Sequence, residues 1–312
     1  MKKHFLFTAA LFVALSFGFA SCENLDDNEE LLNRIEQLEN QLKDQQSGKD
    51  DDKTDSADKD GDKDTSSDSP VSCFTPAAFS VSSTEQVYFS KGNLQYHPAN
   101  NEWRFAENQT DYIGDANSNC SSTYNGWLDL FGWGTGSNPT KSSTSSDDYS
   151  TFVDWGSNQI GDDVPNTWRT LTYDEWYYLR YERPNYDKLI GVAQVNGVNG
   201  LILLPDSWTC PAGVTFKSGF HDDYGVEYYA VYQSFTADQW SKLESAGAVF
   251  LPAAGRRYGS SVYHVQYYGD CWSATEDYSG SASYLYFSSD EANMYYDDYR
   301  YLGRPVRLVN DL

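Results

Sequence analysis

The chain has 312 residues, 16% of them aromatic, and a formal charge of −24 at pH 7. Residues 1–22 carry +2, residues 23–70 carry −11 and residues 71–312 carry −15. Acid spread this widely leaves no electrostatic footprint for phosphate backbones or anionic lipid head groups, which excludes nucleic acid as a partner.

Residues 1–21 read as an export signal, with Lys2 and Lys3 as a basic start and Phe5–Phe19 as an apolar stretch ending in small residues. That stretch is too short for a transmembrane helix, which needs about 20 residues. No other segment has the composition to span a bilayer. The junction Phe19-Ala20-Ser21-Cys22 resembles a bacterial lipobox, with Phe19 where leucine is usual. The resemblance implies cleavage before Cys22 and lipidation of its thiol; an ordinary cleaved secretory peptide is the alternative. Glu23, Asp26, Asp27, Glu29 and Glu30 come next, and such acids resemble the surface-export signals of some Gram-negative lineages. They would serve equally as a solvated helix start. The expected location is the outer membrane, lipid-anchored and facing out.

Residues 22–45 would then form the anchor and a short stalk. Within residues 28–45, Leu31, Ile35, Leu38 and Leu42 are spaced 4-3-4, the seam of a coiled coil. Arg34-Ile35-x-x-Leu38-Glu39 resembles the short trimer-specifying coiled-coil motif. So short a coil is marginal alone, but a membrane anchor raises the local concentration of its partners. A homo-oligomer is expected, three chains ahead of two; the alternative is a lone amphipathic helix. Residues 46–70 are an Asp/Lys/Ser linker, with nine aspartates and four lysines after Gln46, too polar to offset ordering entropy. Asp58–Asp64 has its glycine misplaced for a calcium loop and reads as spacer. Stalk and linker together would hold the C-terminal domain ~50 Å from the lipid.

Residues 71–312 read as one ligand-binding domain. Short apolar runs at 87–90, 103–105, 201–204, 248–251 and 284–287 predict strands, and Val306–Val309 predicts a closing strand. Two helices are expected, capped by Thr172 and Thr236, each with an aromatic residue and a leucine on one face. Long polar loops, notably Gly134–Ser150, lie between them. The class is α+β, with a small core, two helices and much irregular chain. With Cys22 lipidated, Cys73, Cys120, Cys210 and Cys271 remain; two disulfides are permitted and their pairing is open. No C-x-x-C or H-x-x-x-H occurs, so no metal ligands are assigned.

The stretches WRTLTYDEW (168–176), LLPDSW (203–208), LPAAGRR (251–257) and GRPVRLV (303–309) resemble the formylglycine-generating, sulfatase-modifying branch of the C-type-lectin fold. VYFSKGNLQY (87–96) and GWLDLFGWGTG (126–136) are similar to bacterial surface lipoproteins on that fold, including the major paralogous domain type. The resemblance covers residues 79–309 and implies a C-type-lectin-like domain. The enzymes of that branch resemble one another in a pair of closely placed cysteines that handle copper and oxygen. Here Cys271 stands alone in Gly269-Asp-Cys-Trp-Ser273. G-x-S-x-G is absent, as are the sugar-binding motifs of calcium-dependent lectins, and Gly132–Gly136 reads as an aromatic-anchored turn. No catalytic residue and no cofactor is assigned.

Residues 258–301 hold eleven of the 25 tyrosines, among Ser, Asp, Asn and Gly, and no lysine occurs after Lys242. This is close to the alphabet of antibody loops, where tyrosine gives broad amphipathic contact at low entropic cost. Trp272, Leu285, Phe287, Val306, Leu308 and Val309 fall where strand alternation wants inward residues. Tyr284 and Tyr286 flank Leu285 on the other face. The expected ligand-binding residues are Tyr258, Tyr263, His264, Tyr267, Tyr268, Asp270, Tyr278, Tyr284, Tyr286, Asn293, Tyr295, Tyr296, Asp297, Asp298, Tyr299 and Tyr301. The pattern resembles the variable proteins of diversity-generating retroelements, whose C-terminal segments are rewritten at adenines. Asparagine codons so rewritten reach every residue of Asn293–Tyr301 except Met294, which would then be framework. The reading is a surface lipoprotein that binds an unknown protein or glycan through residues 258–302. The alternatives are an oxidase or other enzyme on the same fold, and a purely structural envelope protein.

Overall fold

Each apolar run expected to form a strand does so, because each has a partner of matching pattern to cover it. The computed structural model describes residue 75 and residues 77–221, 232–278 and 280–312. The chain divides into two units, Met1–Asp68 and Ser69–Leu312, and all described residues belong to the second. The 1–21 signal, Cys22, the 28–45 seam, the 46–70 linker and Cys73 lie outside the described residues.

The second unit is mixed α/β, mostly sheet with few helices. One four-stranded sheet runs Phe79–Ser80, Gln86–Phe89, Leu308–Asp311, Arg169–Thr170, so the last strand pairs with one of the first. A second runs Ser234–Phe235, Ile190–Val195, Val198–Leu203, Val249–Pro252, parallel only at its first pair. The third pairs Gly269–Glu276 with Ser281–Phe287, which is joined on its other side by Ala292–Asn293 and Asp297–Tyr299. Hairpins Leu94–His97/Glu102–Phe105 and Arg256–Tyr258/Ser261–Tyr263 complete the sheets.

Both expected helix starts are present with full capping boxes. Thr172 caps α1 (Tyr173–Tyr177), accepting from the Glu175 N–H while Glu175 reaches back to the Thr172 N–H. A π-helical turn, Tyr178–Glu182, continues it. Thr236 and Gln239 do the same for α2 (Ala237–Ser245). Trp176 and Leu179 of the first helix, and Trp240 and Leu243 of the second, are buried. Among the described residues, no helix is long and apolar enough to cross a membrane.

The closing strand differs from expectation. It runs Leu308–Asp311, and Arg307 does not alternate outward: it is buried, its guanidinium donating to Gln109 Oε1 and to the Phe250 carbonyl. The chain at 305–306 is bonded elsewhere, the Pro305 carbonyl to Trp272 N and the Val306 carbonyl to Leu94 N, so the ladder begins only at Leu308.

Three apolar clusters form the interior, and the third sheet is a wall between two of them. Cys271, Leu285, Phe287 and Met294 face a cluster shared with α1. Trp272, Ala282 and Tyr284 face the other way, into an aromatic cluster with Trp103, Phe131, Trp133, Trp155 and Trp168. Indole donors tie that wall to the 126–136 turn: Trp272 Nε1 to the Phe131 carbonyl (2.8 Å) and Trp133 Nε1 to the Ser273 carbonyl (3.0 Å). The turn is anchored by Trp133 as expected, with Gly134 at φ +64°.

Asp129 holds the same turn from behind. Its carboxylate accepts from Ile113 N (2.8 Å) and Asn117 Nδ2 (2.7 Å), while Asn117 Oδ1 accepts from Asp129 N and Leu130 N. Burial pushes this carboxyl up to about 6, against those donors. The fold thus keeps a proton that an unfolded chain releases near pH 4. The stability this adds is full below about pH 4 and is lost as pH rises through about 6. A carbon-detected carboxyl titration should place the Asp129 midpoint near 6; a midpoint at or below 4 would contradict the burial account.

Candidate ligand-binding face

The third sheet and the 256–263 hairpin sort the late tyrosines into outward and inward sets. Tyr258, Tyr263, Tyr267, Tyr268, Tyr278, Tyr295, Tyr296 and Tyr299 are exposed, by 37% to 81%. Among the described residues only one other tyrosine, Tyr186, is exposed. His264 and Asp297 are also exposed. Tyr286, Asp298 and Tyr301 are half-buried.

Three expected contact residues prove to be interior. Tyr284 is 6% exposed, Asp270 3% and Asn293 9%. Tyr284 does lie on the face opposite Leu285, but that face is covered by the second cluster. The Arg304 guanidinium sits 3.6 Å from the centre of its ring and 5.0 Å from that of Trp272. Asp270 pairs with Arg304, which also reaches Asp298; Asp298 in turn accepts from Arg256 Nη1 at 3.2 Å. Burial raises the Asp270 pKa, and Arg304 and Arg256 oppose it. Asn293 is held by Glu291 Oε2 (2.6 Å) and by pairing opposite Tyr286. Arg300 also turns in, stacked 4.9 Å from the Trp133 ring centre and paired with Glu276. Arg256, Arg304, Asp270 and Asp298 therefore form one ionic network at the tyrosine face, and Arg300 with Glu276 forms a separate pair.

The outward rings are not independent of one another. Tyr268, Tyr286, Tyr296 and Tyr284 succeed one another at centroid separations of 5.5, 5.0 and 6.4 Å, leading from the surface to the buried Trp272. Tyr299 lies nearly parallel to Tyr301 at 5.1 Å, and Tyr301 meets Tyr258 at 5.6 Å. Contacts at these separations favour one arrangement of the face over many. The 264–268 loop is set by two left-handed residues, His264 (φ 61°) and Gln266 (φ 67°), an uncommon state outside glycine. Gln266 then clamps that loop to the second sheet through Asn199, whose N–H it accepts at 2.8 Å.

Helix α1 adds tyrosines that the sequence pattern of the late segment does not include. Tyr173, Tyr177 and Tyr181 stack along it at 5.8 and 4.9 Å, and Tyr295 packs on Tyr177 (6.3 Å) and Tyr181 (5.5 Å). Tyr177 shares a hydrogen bond with Tyr295, which raises its pKa. Their spacing of four residues is the signal the sequence carries for them: it puts the three rings on one helical stripe.

The face is aromatic and acidic, with Arg180 at its α1 edge, 4.6 Å from the Tyr181 ring centre and donating to the Ala292 carbonyl. Of the five arginines after Lys242, Arg257, Arg300, Arg304 and Arg307 are buried, and half-exposed Arg256 is bonded to Asp298. Burial raises the pKa of Tyr284, Tyr286 and Tyr301. Cys271 is buried and its thiol pushed up to about 12 by that burial. Cys120, Cys210 and Cys271 are all unbridged. No group of three potential metal ligands occurs among the described residues. No protein family, curated protein or solved structure matches this chain.

Proposed function

We propose that the protein is a surface receptor or adhesin, anchored in the outer membrane through lipidated Cys22 and presented on a stalk that associates through residues 28–45. Its C-terminal unit is a C-type-lectin-like domain that binds a protein or glycan through the tyrosine face. The observation that carries this reading is segregation: eight of the nine exposed tyrosines among the described residues lie in one late segment, beside buried framework from the adjoining strands. A general habit of decorating surfaces with tyrosine would scatter them.

The placement of Met294 favours a diversified face. It is the one residue of Asn293–Tyr301 out of reach of adenine rewriting, and it is 1% exposed. The enzymatic alternative draws on Cys271, whose buried, protonated thiol is a poor nucleophile and metal ligand. Sequencing the DNA flanking the gene tests the reading. A near-copy of the 258–301 coding segment, with adenines at the codons of exposed tyrosines, is expected beside a reverse-transcriptase gene. Absence of such a copy, with natural variants differing at Trp272 or Met294 as often as at Tyr295 or Tyr299, would overturn it.

A further inference from the structure

Where α1 meets the third sheet, the tyrosine face folds into a recess of about 330 Å³. This is at the small end of ligand pockets, which run from about 300 to 1,000 Å³. Its lining includes the rings of Tyr173, Tyr295 and Tyr296, the buried Met294, and the carboxylates of Glu276 and Asp277. No lysine, arginine, asparagine or glutamine lines it. Glu276 is partly neutralised by Arg300, whereas Asp277, among the described residues, accepts only the N–H of its neighbour Tyr278, at 2.8 Å. The recess is therefore rich in acceptors and ring faces and has only hydroxyl donors to offer.

A guanidinium answers that inventory: it is planar, has five donors and no acceptor, and stacks on aromatic faces. The domain uses this pairing internally. Arg104 lies 3.6 Å from the Trp127 ring centre and Arg304 3.6 Å from that of Tyr284. No lysine or arginine lines the recess, and Arg180 beside it is held on the Tyr181 ring and the Ala292 carbonyl, so a cation that enters the recess is one supplied from outside. We propose that the recess takes an arginine side chain presented by a basic protein ligand, stacked against Tyr173 and Tyr295 and paired with Asp277. This rests on the reading of the late segment as a contact face and names the chemistry of its partner. A neutral glycan would leave Asp277 without a counter-charge.

Saturation-transfer NMR on the full chain tests this, with acetyl-Gly-Arg-Gly-amide as probe and its uncharged citrulline analogue as control. Saturation should reach the arginine side-chain methylenes first, and the citrulline peptide should bind at least tenfold more weakly. Asp277→Asn, which keeps the side-chain acceptor for the Tyr278 N–H, should weaken the arginine peptide about tenfold with an unchanged melting temperature. Asp297→Asn, an exposed acid outside the recess, should change it less than twofold. Equal binding of the two peptides, equal effects of the two substitutions, or saturation of maltopentaose in place of the arginine peptide would each overturn the proposal. Should the face still yield binders when its tyrosines are randomised, such a failure removes only the arginine site; the receptor reading stands or falls on that separate test.

Discussion

Replacing Arg304 with alanine should destabilise the folded unit by about 3–5 kcal/mol, measured by urea unfolding. Its side chain is fully buried, and among the described residues it is the only arginine bonded to Asp270, which is buried beneath the tyrosine face. Removing the arginine strands a buried carboxylate, leaves Asp298 to Arg256 alone, and takes the cation from over the Tyr284 and Trp272 rings. Asp270→Ala should cost a similar amount, because the charge left behind is again buried. The double variant should cost about 0.5–3 kcal/mol less than the two single losses together, since neither charge is then stranded. A loss below about 1 kcal/mol for Arg304→Ala would mean that the ionic network is not what holds the 297–301 segment to the core.

Met294→Ala should cost about 2–5 kcal/mol, as deletion of a buried side chain in a close-packed cluster does. Tyr278→Ala, at the most exposed of the late tyrosines, should change stability by no more than about 0.5 kcal/mol. Tyr295→Ala should fall between them, losing ring contacts with Tyr177 and Tyr181 that are worth about 0.5–1.5 kcal/mol. The contrast between adjacent Met294 and Tyr295 matters most. One faces a core shared with Trp176 and Leu285, and the other stands 67% exposed. If the two substitutions cost the same, the segment is not core on one side and contact surface on the other.

Local signals are legible in the sequence wherever one element's pattern decides its own state. Thr172 and Thr236 each precede an acid or amide at the third helical position, and both capping boxes form. The five apolar runs become strands because each alternates or is covered on both faces. What alternation alone does not tell is how many faces a strand has covered. In Ser281–Phe287 it implies one buried and one open face. The strand is a wall between two clusters, so Tyr284 is interior even though it points away from Leu285. Asp270 and Arg300 look like surface charge in the sequence because their partners, Arg304 and Glu276, are distant along the chain. The tyrosine stripe of α1 shows in the sequence only as a four-residue spacing beside the buried Trp176 and Leu179; its partner Tyr295 is distant along the chain, so the spacing alone does not join the stripe to the late segment.

The most direct test of the central claim is a display library in the full chain, with the codons of the eight exposed tyrosines randomised together and everything else retained. If those rings form a contact surface that the fold does not need, most clones should keep a urea midpoint near that of the parent, and selection against an arbitrary soluble protein such as lysozyme should recover specific binders. Loss of cooperative unfolding in most clones, or no binder from a library that folds, would contradict it.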